Sequence, residues 1–216
     1  MIFSVAVLLF ADHQPRSQLG SLAGLPSYRV AGPADIDAAI GPYRRFAVVG
    51  ADADLAAVLA RLLRAERLDI EVAYVPRRRT AATRVYRLPA GRRAARRSKS
   101  GSARRASLIR DETGSVIVGQ ADWLPDPSSS DRLLHGEAIV DDNPLFDGDV
   151  AGVCIEPTPS LPGLRARVHG TRRWITGRAV QLGSTGVTVI RDGVPAPRAA
   201  RRSTFYRNVE GWLAVR

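Results

Sequence analysis

The residues best placed to do chemistry lie in one short turn, Gly50-Ala51-Asp52-Ala53-Asp54-Leu55. The apolar run Phe46 to Val49 leads into Gly50, and helical periodicity takes over from Ala53. A strand that ends at glycine and feeds a helix presents unpaired backbone N–H groups and the positive end of a helix dipole, a natural seat for phosphate. Gly50, Ala51, Asp52 and Ala53 are therefore candidate ligand-binding residues. Phosphate-cradling turns usually draw on several glycines for close backbone approach, and here only Gly50 is present. Asp52 and Asp54 would repel a bare phosphate, although either reaches one through a divalent cation. The plainer reading, compatible with the first, has Asp52 capping the helix and Asp54 favouring its positive end.

A second candidate is a run of arginine. Between Arg77 and Arg110 there are thirteen Arg or Lys and no acid, more than the net charge of +11 of the whole chain. Clustered cations attract RNA, DNA or anionic lipid headgroups. Tyr86 is the one aromatic in the run, so the stacking residues of a single-strand binder are missing, and a solvated linker is the simpler expectation. Gly183 to Gly186, Gly-Ser-Thr-Gly, looks like a phosphate loop but sits between two strand-like runs and is expected as a hairpin turn. Cys154 lies in an apolar run with no neighbouring base and reads as a buried structural cysteine. His13, His135 and His169 are scattered, without zinc-ligand or catalytic-triad spacing.

The elements that must position these residues are legible in outline. Ile2 to Phe10 has the composition of a strand buried on both faces, rather than of a signal peptide, because no positive residue precedes it and Asp12 follows. Asp12 to Pro26 is polar, with room for a short helix; Tyr28 to Ala31 is a brief strand, and Pro33 opens a helix that runs to Ile40. Phe46 to Gly50 is a strand, Ala53 to Arg67 a helix with Leu55, Val58, Leu59, Leu62 and Leu63 on one face, and Ile70 to Val75 another strand. This alternation is the signature of βαβ units. From Ser107 on, short β-branched runs separated by Gly, Pro and Asp predict an antiparallel sandwich or partial barrel, with turns at Asp147-Gly148 and Asp192-Gly193.

Composition agrees with a folded protein: of 216 residues 45% are hydrophobic and 25% charged. One cysteine precludes an internal disulfide, and no run approaches the ~20 apolar residues of a membrane span, so a cytoplasmic location is expected.

In its motifs the chain resembles the diacylglycerol kinase and sphingosine kinase family of lipid kinases. There the third strand runs into Gly-Gly-Asp-Gly-Thr-Leu, of which this chain keeps Gly50, Asp52 and Leu55. The next strand of those kinases ends in Pro-x-Gly-Thr-x-Asn-Asp; here Pro76 is kept, and Arg77 to Thr83 lacks the Gly, Asn and Asp. Leu145 to Val150 is similar to the family's Asp-Gly turn, and Val187 to Pro195 to its late Asp-Gly-Glu segment, with Val194 in place of the glutamate.

The resemblance implies an N-terminal α/β nucleotide-binding domain and a C-terminal β-sandwich. It also implies transfer of the ATP γ-phosphoryl group to a lipid hydroxyl, with Mg²⁺ offsetting charge and a carboxylate accepting the hydroxyl proton. By position, Gly50, Ala51, Asp52 and Ala53 would belong to the nucleotide turn, and Asp192 would be the surviving catalytic acid. An active kinase and a degenerate member both fit. The implied partners are a lipid substrate and an anionic membrane surface met peripherally; the alternative is a basic adaptor that binds nucleic acid through residues 77–110. The expected organisation is an α/β domain over 1–88, a basic linker over 89–106, and a β-sandwich over 107–216 whose last segment could return to the N-terminal domain.

Overall fold

The computed structural model describes residues 5–10, 20–127 and 132–216. Residues 2–4 of the expected first strand and most of the polar stretch after it, residues 12–19 with His13, lie outside the described residues. The chain divides into two compact units, Met1–Ala106 with Glu210–Arg216, and Ser107–Val209.

The first unit begins with β1 (Ala6–Phe10), a short 3₁₀ turn at Gly20–Leu22, and β2 (Ser27–Val30). Next come α1 (Pro33–Ala39), β3 (Arg45–Val49), α2 (Asp52–Arg64) and β4 (Glu71–Tyr74). β1, β2, β3 and β4 pair in parallel, with Leu8 between Tyr28 and Val48. The central strands β1 and β3 are near-continuous apolar runs because both faces of the sheet are covered there, whereas the edge strand β2, Ser-Tyr-Arg-Val, buries only Val30. α2 buries Leu55, Val58, Leu59 and Leu62, worth roughly 1.5–3 kcal/mol for each large side chain. On one face of the sheet Val7, Ala47 and Val49 share a core with Ala94 and Ala95.

Those two alanines correct the expected linker. α3 (Ala81–Val85), α4 (Gly91–Ser100) and β5 (Ala103–Ala106) are all ordered parts of the first unit. α4 packs on β3 and β4 with its small residues Ala94, Ala95 and Ser98 buried, while its arginines face outward. Its C-terminal end is held from a distance. Arg45 donates to the carbonyls of Ser98 (3.0 Å), Lys99 (3.3 Å) and Gly101 (2.9 Å), and its Nε donates to Glu71 (2.6 Å). A guanidinium at the negative end of a helix satisfies carbonyls that have no intrahelical partner.

The second unit is antiparallel. It comprises β6 (Ile109–Asp111), β7 (Val116–Ile117), β8 (Ala121–Pro125), β9 (Leu134–Val140), β10 (Asn143–Val150), β11 (Val153–Pro157), β12 (Leu164–Val168), β13 (Ile175–Gly177), β14 (Ala179–Arg191), β15 (Val194–Pro195) and β16 (Ala200–Arg207). β14 organises it. Residues 180–184 pair with β9 and residues 187–191 with β8, while the other edge of the strand pairs with β16. The inner faces meet over Trp123, Phe205, Ile155, Leu134 and Val189, and the indole N–H of Trp123 donates to Ser203 Oγ (3.0 Å).

Two expected turns fall elsewhere. Gly183 to Gly186 is a register shift inside β14, where the strand leaves β9 and takes up β8, so it is not a hairpin. Asp147-Gly148 lies within β10; the β9–β10 reversal is made by Asp141, in the left-handed region at φ 49°, and Asp142. Asp192-Gly193 is a reversal as expected, with φ 48° and 83°, joining β14 to β15.

The chain then returns to the first unit as β17 (Trp212–Val215), which lies parallel to β4 and antiparallel to β5. The first-unit sheet therefore runs β2-β1-β3-β4-β17-β5. Trp212 packs edge-on against Tyr86, ring centroids 5.2 Å apart, with both side chains fully buried.

Candidate functional site

Gly50 and Ala51 form the turn between β3 and α2, at the carboxyl edge of the parallel sheet, where open α/β sheets bind ligands. The anion that sits on this turn is the protein's own. Asp54 reaches back from the first turn of α2 and its Oδ2 accepts the Ala51 N–H at 2.7 Å. Gly50 is needed for that contact, since a Cβ there would collide with the Asp54 carboxylate. The helix cap is thus supplied by Asp54, and the reading of Asp52 as the cap is corrected.

Asp52 turns the other way. Its Oδ1 accepts the Tyr74 hydroxyl (2.7 Å) and its Oδ2 the Ala82 N–H (3.1 Å). Ala82 lies in the first turn of α3, whose N-cap Thr80 accepts the Thr83 N–H (3.2 Å), while Thr83 Oγ1 accepts the Thr80 N–H (2.8 Å). Asp52 therefore ties the turn after β3 to the turn after β4. Burial, then the nearby Asp52 charge, raise the Tyr74 phenol well above its ordinary pKa. Tyr74 stays a hydrogen-bond donor.

Asp192 belongs to the second unit. Its carboxylate accepts three backbone N–H groups, from Val118 (3.0 Å), Gly119 (2.7 Å) and Gln120 (3.1 Å). This closes the chain between β7 and β8 onto the β14–β15 reversal.

The chain matches no protein-family model and no curated protein. Solved structures do match over nearly its whole length. A diacylglycerol kinase from Bacillus anthracis str. Sterne has a TM-score of 0.73 at 9% identity, covering 98% of this chain and 96% of that one. The fold is that of the diacylglycerol kinases. An NAD kinase from Archaeoglobus fulgidus in complex with ATP follows with a TM-score of 0.66 at 10% identity, covering 99% of this chain and 94% of that one. Yeast NADH kinase complexed with NADH has a TM-score of 0.61 at 10% identity, over 100% of this chain and 84% of that one.

Within this diacylglycerol-kinase-like fold, Gly50 and Ala51 lie in the turn and Asp52 and Ala53 open α2, whereas Asp192 serves a turn of the other unit. Sequence reasoning missed the use of Asp54 and Tyr74. A capping carboxylate at the third helical position was the signal for Asp54; nothing local pointed to Tyr74.

A polar cluster in the second unit was also missed. His169 Nε2 lies 3.0 Å from Asp122 Oδ1, and Gln120 Nε2 donates to both Asp122 oxygens (3.0 and 2.8 Å). Cys154 stands opposite Asp122 across β11 and β8. Burial, then Asp122 and Glu156, push its thiol up to about 12, which suits a structural cysteine rather than a nucleophile. Among the described residues there is no His, Cys, Asp and Glu grouping able to hold a metal ion, and no helix is long and apolar enough to cross a membrane.

Proposed function

We propose that this is a lipid-kinase-like protein of the diacylglycerol kinase type that keeps the frame for ATP-dependent phosphoryl transfer to a lipid hydroxyl and has lost the turnover. The fold supports the first half of the reading. The observation that carries the second is the Asp54 carboxylate on the Ala51 amide, in the place an ATP phosphate would need. Phosphoryl transfer depends on positioning and charge compensation around the phosphates, so a fixed negative charge at that place opposes it. ATP does not fit the Gly50 turn as built. Asp52, the carboxylate that Mg²⁺ would need at this turn, already accepts one hydrogen bond on each oxygen, from Tyr74 and Ala82, which ties it to the protein's own frame. Asp192, the candidate catalytic acid, has its carboxylate occupied by three backbone N–H groups of its own unit.

Such a protein would meet lipid at an anionic membrane surface, with the basic segment 77–110 supplying attraction. Nucleic acid is the less favoured partner, because Tyr86, the one aromatic in that segment, is buried against Trp212 and offers no face to a base. The test is a transfer assay with γ-labelled ATP, Mg²⁺ and diacylglycerol in mixed micelles. No labelled lipid above the protein-free control is expected; time-dependent product that disappears in Asp52→Asn would overturn the proposal.

A further inference from the structure

The arginine-rich segment does not hang free; it is folded around a cavity. Arg79 in the turn after β4, Arg87 after α3, Arg93 and Arg97 on one face of α4, Arg104 on β5 and Arg216 after β17 line one cavity of about 380 Å³, with Leu88, Pro89 and Ser102. All of these residues belong to the first unit. Among the described residues, none of the six arginines is paired with an acid, and the Nε of Arg216 is buried without a hydrogen-bond partner. Arg87 takes the left-handed backbone, φ 55°, that ends α3, where the Leu88 N–H donates to the Thr83 carbonyl (3.0 Å). Arg93 and Arg97 are like charges one helical turn apart, which repel.

The position of the basin adds a second argument. β17 runs parallel to β4, and β5 begins where β17 ends, so Arg79, Arg104 and Arg216 gather at the carboxyl edge of the sheet. This is the edge at which α/β sheets take ligands, and it is the edge on which the Gly50 turn has closed over its own carboxylate.

We infer that this basin binds a ligand carrying two or more linked or clustered phosphate groups. Guanidinium forks from five separate segments converge on one concavity, the geometry suited to bidentate contact with several phosphate oxygens. A single phosphate dianion would offset only a fraction of six positive charges. The lining holds no aromatic residue for a base, so recognition is of the phosphates themselves. The same chemistry is offered by an inorganic oligophosphate, by the tail of a nucleoside triphosphate and by a bisphosphorylated lipid headgroup. This inference stands whether or not phosphoryl transfer is lost.

The test uses the full chain and inorganic tripolyphosphate, titrated calorimetrically at about 50 mM and about 300 mM NaCl. Saturable binding that weakens with salt is expected. Arg93→Gln with Arg97→Gln should weaken it about tenfold or more, whereas Arg92→Gln with Arg96→Gln, the same charge change on the same helix outside the basin, should change it less than about twofold. Equal losses in the two variants would mean diffuse surface charge and overturn the site, as would absence of binding at low salt. Competition by ATP and by vesicles with or without a phosphoinositide bisphosphate then tells which source of clustered phosphate binds best. If neither competes with bound tripolyphosphate, the ligand is a free oligophosphate.

Discussion

Asp54 Oδ2 lies 2.7 Å from the amide nitrogen of Ala51, so the N-terminal turn of α2 closes on an internal carboxylate. Helix N-termini stabilise negative charge, and here the negative charge is covalently part of the helix it caps. The same contact that secures α2 fixes a negative charge on the turn. In the resembled kinase motif this position is threonine, which is neutral and shorter-reaching.

Asp54→Ala should therefore cost about 1 kcal/mol of unfolding free energy, the ordinary loss for a helix cap, and should leave the Ala51 amide open to an external anion. Phosphate at matched ionic strength should restore more stability to the variant than it adds to the wild type. The comparison cancels whatever the arginine basin contributes. Urea unfolding with and without phosphate reads the difference; equal gains in both proteins would show that the turn takes no anion.

Asp192→Asn replaces an acceptor of three N–H bonds by a side chain that offers one oxygen and two opposing donors. A loss of about 2 kcal/mol is expected for the second unit, in the range of hydrogen bonds to a charged group. Asparagine tolerates the left-handed backbone at this position, so the effect isolates the carboxylate. Unchanged stability would reopen a catalytic assignment for Asp192.

Much of this was legible in the sequence where apolar patterning is strong. Phe46 to Val75 reads as strand, helix, strand because Leu and Val mark the buried faces, and β3, α2 and β4 lie there within a few residues. α4 was missed because the face it buries consists of Ala94, Ala95 and Ser98, residues too small to signal a core. Its stability is borrowed from Arg45, more than fifty residues away, and such a contact leaves no local trace. The turn at Gly183 to Gly186 was misplaced for a related reason. Glycine and serine permit a reversal, but pairing to three neighbouring strands keeps the chain extended there. The Gly50 turn was located correctly, while the direction each aspartate takes depends on partners in β4 and α3.

Arg45→Ala should release the end of α4. The guanidinium is nearly buried, pairs with Glu71 and satisfies three carbonyls, so its removal is expected to cost about 2–4 kcal/mol. Amide exchange over residues 91–100 should accelerate ahead of that in α2. Exchange rising equally across both helices would mean that α4 has no local stability of its own.

Alkaline pH should act on the first unit through Tyr74. Its folded-state pKa lies above the unfolded value near 10.0, through burial and the Asp52 charge. The unfolded chain therefore binds fewer protons than the folded one once pH exceeds about 10, and stability falls as pH rises further. Tyr74→Phe removes this contribution and should flatten the decline between about pH 10 and 11, at the cost of an unpaired Asp52 oxygen at neutral pH. A decline equally steep in the variant would assign the alkaline transition to other groups.

Cys154 provides the corresponding test in the second unit. Its thiol is buried and pushed up to about 12 by that burial and by Asp122 and Glu156, so the reactive thiolate is scarce at pH 8. Aromatic disulfide reagents should leave the native protein unmodified over hours and react promptly once urea unfolds it, when the pKa returns to its ordinary value near 9.0. Asp122→Asn should lower the pKa and quicken native modification only modestly, because burial is the larger cause and persists. Rapid reaction of the native wild type at pH 8 would contradict the buried, structural assignment of Cys154.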